Sequence, residues 1–365
     1  MELKESKIEG GWKVELVEDK KSVSRLWIVD RQMRVGRCPV WVGGIAGVGT
    51  DNQYRLQGLS RRVIDAAIEL MKREGYDATF LFGISDFYHK FGFATCMPER
   101  YLYLNTRDAE RAKKKWAIRA MRKSDLAQVA RIYNRDNARR TASVVRDRKW
   151  GGFYMGSDFG IVPKVSVVVD ARERVCGYVS YDEVDDRCRA AEVGGEGEQV
   201  FATILHFLAR RAVALRRQEI SLSIPVDHPF ARYCRSFGCR DSTDFARSAG
   251  PMGRIINLQA FIGKILPELE DRWGAVDRGL VLALKTDIGS CALGWKRGKL
   301  RVDEALEGAL GASLKQDAFV QLAMGYLTAG DLKSEGKLRA GKGALALLER
   351  LFPLQTAHIW WSDRF

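Results

Sequence analysis

The stretch "GIAGVGTDNQYRLQGLSRRVIDAAIELM" (residues 44–71) restricts the fold more than any other. It closes an apolar run, "CPVWVGGIAGVGT", that reads as a strand, and passes through the tight loop Arg55-Leu56-Gln57-Gly58-Leu59-Ser60. A helix starts at once. Leu59, Val63, Ala66, Ala67, Leu70 and Met71 recur at three- and four-residue spacing, and Gly75 supplies the stop. "YDATFLFG" then reads as a buried strand. Strand, loop, helix and strand in that order set a helix against a sheet, so the class is α/β or α+β.

A helix that opens straight from such a loop has a chemical consequence. Its first turn presents unpaired N–H groups and roughly half a positive charge, which suits a phosphate. Gly58 lets the backbone approach an anion closely, and Arg55, Arg61 and Arg62 add charge nearby. An ordinary strand-turn-helix with a glycine in its turn has the same local sequence, so the loop alone does not decide the matter.

At 365 residues the chain exceeds one ordinary core, and three segments are expected. Residues 1–112 hold the strand-like stretches "GWKVELVE", "SVSRLWIVD" and "QMRVG" before the loop. After it come a short helix in "SDFYHKFGF" and an edge or hairpin strand, "RYLYLN". Residues 113–252 hold a helix capped by Ser124 or Asp125, the strand pair "VSVVVDARERVCGYVSYD", a helix over 199–217, the strand "ISLSIP" and the short helix "PFARYCRSFGC". That order echoes residues 1–112 and reads as a degenerate duplication. Residues 253–365 open with the amphipathic helix "GRIINLQAFIGKILPELEDRW". They continue through short strands and further helices as a small α+β domain.

Composition removes several classes. No apolar run reaches the ~18 residues of a spanning helix. "MELKESKIEGGWKVE" lacks the apolar core of a secretory signal, and the seven cysteines are scattered without a CxxC pair. Reduced thiols and a cytoplasmic location are expected. Four isolated histidines without HExxH predict no metal site. The net charge of +14 gathers in residues 113–252, where 26 Lys/Arg face 17 Asp/Glu. Its clusters lack the aromatic or glycine pattern of a nucleic-acid module, so they read as solvated helix faces that would also attract an anionic cofactor.

The Arg-x-x-Gly-x-Ser spacing of Arg55–Ser60 after a strand, with "FYHKFGF" at residues 87–93, resembles the Gcn5-related N-acetyltransferase (GNAT) superfamily. There a Gln/Arg-x-x-Gly-x-Gly/Ala loop cradles the pyrophosphate of acetyl-CoA, and Phe-Tyr-x-x-x-Gly-Phe is the second signature. Ser60 departs from the first pattern but is still small. Across nearly its whole length the chain is similar to the enhanced-intracellular-survival (Eis) acetyltransferases. In these, two tandem GNAT units precede a domain like sterol carrier protein 2, and "LLERLFPLQTAHIWWSDRF" is similar to that family's ending. The resemblance implies acetyl-CoA as cosubstrate, direct transfer to a primary amine, no metal and a homo-oligomer. The middle unit offers Glu192, Glu196 and Glu198 where a phosphate loop would fall, so one acetyl-CoA site per chain is expected.

Carried over by position, the backbones of Val48 and Thr50 pair with pantetheine. Arg55 and the amides of Leu56, Gln57, Gly58, Leu59 and Ser60 hold the phosphates. Tyr88 becomes the general acid toward the CoA sulfur, ahead of His89 as a base, while Phe87, Phe91 and Phe93 pack against the sheet. In Eis-like enzymes the C-terminal carboxylate is the base for the acceptor amine, which assigns that role to Phe365. Trp360 and Trp361 would enclose it, and Asp363 is a nearby carboxylate beside Arg364. A tail that merely pins the third domain also predicts a buried terminus. The family usually has another strand and two helices ahead of "GIAGVGT", so either a chain truncated at its start or an unusually open acceptor cleft is expected. A lipid or sterol carrier, or a polyanion-binding protein, are the alternatives.

Overall fold

The computed structural model describes residues 1–147, 150, 164–182, 188–274, 276–303 and 309–365. By internal contacts the chain forms two units. The first holds Met1–Pro98, Ala246–Ala357 and Phe365, and the second holds Glu99–Phe245 and His358–Arg364.

The first unit starts as an antiparallel meander of β1 (Glu2–Ile8), β2 (Gly11–Glu18), β3 (Lys21–Val35) and β4 (Cys38–Thr50). "SVSRLWIVD" and "QMRVG" are thus one strand of 15 residues. β4 leads through the Arg55–Ser60 loop into α1 (Leu59–Glu74), whose left-handed C-cap is Gly75. Val63, Ile64, Ala67, Ile68, Leu70 and Met71 are buried under it with Val14, Leu16, Leu26 and Ile28 of the sheet. β5 (Ala78–Gly83) follows and lies parallel to β4, the usual result when a helix makes the connection. A single turn at Tyr88–Phe91 then precedes β6 (Ala94–Thr95).

The second unit takes β7 (Glu99–Asn105), α2 (Thr106–Ala109), β8 (Ala117–Ala120), α3 (Leu126–Asp136), β9 (Lys164–Val169), β10 (Val175–Asp182), β11 (Cys188–Gly195), α4 (Glu198–Ala214), β12 (Glu219–Leu222), α5 (Pro229–Cys234) and β13 (Arg240–Asp244). Its sheet runs β13-β7-β12-β11-β10-β9-β8. β7, expected at an edge or in a hairpin, is interior, hydrogen-bonded on both sides by β12 and β13. Asp125 does not cap α3 through its side chain. Its carboxylate accepts from the Arg122 amide and from the Arg119 guanidinium instead. Among the described residues of this unit the only parallel pair is β11 with β12, joined by α4, which repeats the β4-α1-β5 arrangement.

Returning to the first unit, β14 (Gly250–Ile255) enters the first sheet between β5 and β6, giving the order β1-β2-β3-β4-β5-β14-β6. "GRI" therefore ends a strand, and the helix expected there is α6 (Leu258–Trp273), capped by the Asn257 side chain. A third sheet, β17-β16-β15-β18-β19, is built from β15 (Val281–Thr286), β16 (Gly289–Lys296), β17 (Lys299–Asp303), β18 (Leu310–Leu314) and β19 (Leu338–Ala340). Helices α7 (Gln316–Ala323), α8 (Ala329–Ser334) and α9 (Lys342–Leu351) accompany it. Glu268 of α6 is buried and accepts hydrogen bonds from the Arg37 amide at the β3–β4 turn and from Arg272. Side-chain bonds from Gln316 to the Gly92 carbonyl and from Gln321 to the Thr95 carbonyl also tie α7 to the turn after Tyr88.

Candidate active site

The site begins where two parallel strands part. β4 and β5 pair only at Val42–Ala78, Gly43–Thr79 and Gly44–Phe80, although β4 runs on to Thr50 and β5 to Gly83. The cause lies in β4. Its register against β3 shifts between Arg25 and Trp27, and Gly47 takes φ +54 at the bulge. A side chain on Gly47 would strike the Trp27 ring, so only glycine fits that bend. Past Gly44, β4 therefore has a backbone edge that β5 does not satisfy, and Val48 and Thr50 lie on it. The Ser24 and Thr50 hydroxyls bond at 2.9 Å and hold the strand end against β3.

The loop after β4 is shaped for an anion. Gly58, with φ 74, is the N-cap of α1 and provides no side-chain cap, and no side chain among the described residues bonds the amides of the first turn. That turn carries no acidic residue either. Leu56 also adopts positive φ and is fully exposed, so the loop presents backbone rather than a packed surface. Arg55 reaches back toward the Thr50 carbonyl at 3.5 Å. Arg61 lies over the Phe91 ring at 4.9 Å, on the first turn of the helix.

Tyr88 sits at the end of β5. Its ring lies against Gly83 and packs edge-on to Phe87 and Phe93, with centroids 4.9 and 6.3 Å away. It is only 9% exposed, and burial pushes its phenol above the ordinary range. The hydroxyl has no hydrogen-bond partner among the described residues. His89, by contrast, is exposed and lines a separate cavity of about 780 Å³ beside α7.

Phe365 belongs to the first unit by its contacts. Its ring packs on Gly44, where β4 and β5 part, and stands 6.0 Å from the Phe82 ring of β5. Gly44, Phe82, Gly83, Tyr88 and the terminal residue are thereby gathered around the open end of the parallel pair. Trp360 and Trp361 do not enclose Phe365; they pack in the second unit, where Trp360 is fully buried and Trp361 donates to Ser223. Asp363 is not neutralised by Arg364 either. It pairs with Arg146, while Arg364 pairs with Glu99 at 2.8 Å.

The corresponding opening in the second unit is closed. β11 leaves β12 after Ala190–Leu222, and the chain's own residues 361–363 bond there, Trp361 to Ser223 and Ser362 to Glu192. Of the three glutamates expected to repel a phosphate, Glu192 is buried against Arg146 and Glu196 pairs with Arg135 at the surface. Asp136, which the sequence did not single out, occupies the Gly195 amide at 2.7 Å with its carboxylate.

Residues 1–96 match the model of the acetyltransferase (GNAT) domain. Over that span the chain is similar to GNAT acetyltransferase domains. Comparison with curated proteins gives no match. Solved structures agree with the fold over nearly the whole chain. A probable N-acyltransferase of Enterococcus faecalis V583 is 15% identical, with 98% of this chain and 90% of that one covered and a TM-score of 0.78. A GCN5-related N-acetyltransferase of Anabaena variabilis is 16% identical, at 97% and 89% coverage and TM-score 0.77. Eis1 of Mycobacterium abscessus is 16% identical, at 97% and 90% coverage and TM-score 0.67. Among the described residues each seven-stranded sheet has a single parallel pair, so the same mixed-sheet arrangement occurs twice in the fold. Among the described residues no cluster of His, Cys, Asp or Glu could hold a metal ion, and no helix is long and apolar enough to cross a membrane.

Proposed function

We propose that the chain transfers acetyl from acetyl-CoA directly to a primary amine, at the opening between β4 and β5. The observation that carries this reading is the convergence there of an uncapped helix N-terminus, a free strand edge, the Tyr88 phenol and Phe365. Backbone at Val48 and Thr50 pairs with the pantetheine arm. The amides of Leu56 to Ser60, with Arg55, hold the phosphates. A free N–H on the β4 edge polarises the thioester carbonyl as the amine attacks. The α-carboxylate of Phe365 accepts the proton from the amine, and Tyr88 delivers one to the departing thiolate. A phenol kept protonated by burial suits that second role.

A polyamine, an aminoglycoside-like molecule or an exposed lysine each supplies such an amine. In the same reading residues 253–365 correspond to the sterol-carrier-like segment of Eis-type enzymes, the chain forms a homo-oligomer, and it works in the cytoplasm. Residues 1–50 are strands and turns, so no helix from that segment walls the acceptor side. The test is release of free thiol from acetyl-CoA across a panel of amines. Amine-dependent release supports the proposal, and failure to bind acetyl-CoA at millimolar concentration overturns it.

A further inference from the structure

Arg146 is the most unusual charged group in the second unit. Its guanidinium is completely buried between two carboxylates that are buried as well. Nη1 and Nη2 donate to both oxygens of Glu192 at 2.6 and 2.8 Å, and Nε and Nη2 donate to both oxygens of Asp363 at 2.9 Å. The rings of Tyr133 and Trp150 lie 3.5 and 3.7 Å from its central carbon. Tyr133 donates to Asp363 at 2.7 Å, Tyr178 donates to Glu192 at 2.5 Å, and the Ser362 hydroxyl donates to Glu192.

Burying such a cluster is a poor way to gain stability, because desolvation offsets most of the attraction. What it does supply is position: each carboxylate is read by a fixed fork of donors, and a shift of one residue leaves charges unpaired. The rest of the tail is tied with the same specificity. The His358 amide donates to the Thr141 carbonyl at 3.0 Å, Trp360 Nε1 to Asn137 at 2.9 Å, Trp361 Nε1 to Ser223 at 3.0 Å, and Arg364 pairs with Glu99. Five of the last seven side chains before Phe365 thus have a dedicated polar partner.

We infer that the Arg146–Glu192–Asp363 cluster is a latch that fixes the register of the C-terminal tail and so positions the carboxylate of Phe365, two residues beyond Asp363. Arg146, Glu192 and Asp363 are positioning residues; none touches the reacting atoms. The inference rests on the proposed role of the terminal carboxylate, but its first consequence, a tail held to its last residue, does not.

Asp363→Asn is the informative variant, because Arg146 and Glu192 remain as a balanced pair and the fold should survive. Tyr133→Phe removes one donor to the same carboxylate and serves as the milder companion. Two readouts are needed: release of Phe365 from the folded protein by carboxypeptidase A, and kcat with KM for acetyl-CoA. Asp363→Asn should speed Phe365 release by at least about tenfold and lower kcat by a similar factor, with KM for acetyl-CoA unchanged. Tyr133→Phe should shift both in the same direction by less. Unchanged release in both variants overturns the latch. Faster release with unchanged kcat keeps the latch and removes the catalytic role of the terminus, which deletion of Phe365 alone would confirm by leaving turnover intact.

Discussion

Phe365 packs so closely on Gly44 that a methyl group on that glycine would stand 2.6 Å from Cδ2 of the ring. Gly44 is also the last residue of β4 that pairs with β5, so the Phe365 side chain rests where the strands part. Gly44→Ala should therefore displace the terminus while leaving the loop and the free strand edge beyond it alone. The expected result is a fall in kcat of about tenfold or more, ~1.4 kcal/mol in barrier, with acetyl-CoA affinity preserved. Steady-state kinetics with equilibrium binding of acetyl-CoA checks this.

Tyr88 is buried and its phenol is held above the ordinary range. Because the protonated form is then retained beyond pH ~10, kcat should show no alkaline limb from this group below that pH. Tyr88→Phe should lower kcat by roughly 10²–10⁴ with little change in KM for acetyl-CoA. A pH–rate profile of both proteins makes the comparison.

Gly58 tests the loop by conformation alone. A side chain there meets no atom within 4 Å, but its φ of 74 belongs to the left-handed region. Gly58→Val should cost about 1–2 kcal/mol locally and raise KM for acetyl-CoA at nearly constant kcat.

The buried histidines of the second unit predict acid sensitivity. His228 is pushed down to about 3, chiefly by burial and then by Arg140, and its Nδ1 accepts from the Phe230 amide. His358 is likewise lowered by burial. A histidine with a depressed folded value stays neutral while the unfolded chain takes up a proton near pH 6.5. Stability should then be flat above that pH and fall between about 6.5 and 3, by up to ~1.4 kcal/mol per pH unit for each group. His228→Asn keeps an acceptor at the helix start but does not titrate. Urea unfolding midpoints at pH 7.5 and pH 5 should differ less in this variant than in the parent.

Much of this fold could be read from residue patterns, and the exceptions have physical causes. The loop, α1 and its Gly75 stop were legible because apolar spacing and glycine conformation are local properties. β1 was missed because "ELKESKI" is exposed at six of its seven positions and is a strand only through its pairing with β2. β3 was split at "DRQ" because charged residues read as a turn, yet its pairing with β4 carries it straight through. β14 was taken into the following helix because "RII" does not announce that Arg254 and Ile255 pair with Thr79 and Ala78, far back in the sequence.

For the proposed site, Tyr88 and the Arg55–Ser60 loop were singled out from motif spacing. Arg146 was not. Within "SVVRDRKW" it looks like any surface arginine, and its burial depends on Glu192 and Asp363, distant in sequence. Phe365 was singled out through the likeness of the chain's ending to that of Eis-like enzymes; its seat on Gly44 depends on a glycine that looked like part of an ordinary strand.

The most direct measurement is turnover of a chain extended by two glycines beyond Phe365, set beside its acetyl-CoA affinity. The extension moves the terminal carboxylate but leaves the Phe365 ring, Tyr88 and the phosphate loop in the sequence. The account predicts that amine-dependent thiol release falls by at least about a hundredfold, ~2.7 kcal/mol in barrier, while acetyl-CoA binds as tightly as before. Full turnover by the extended chain would contradict it.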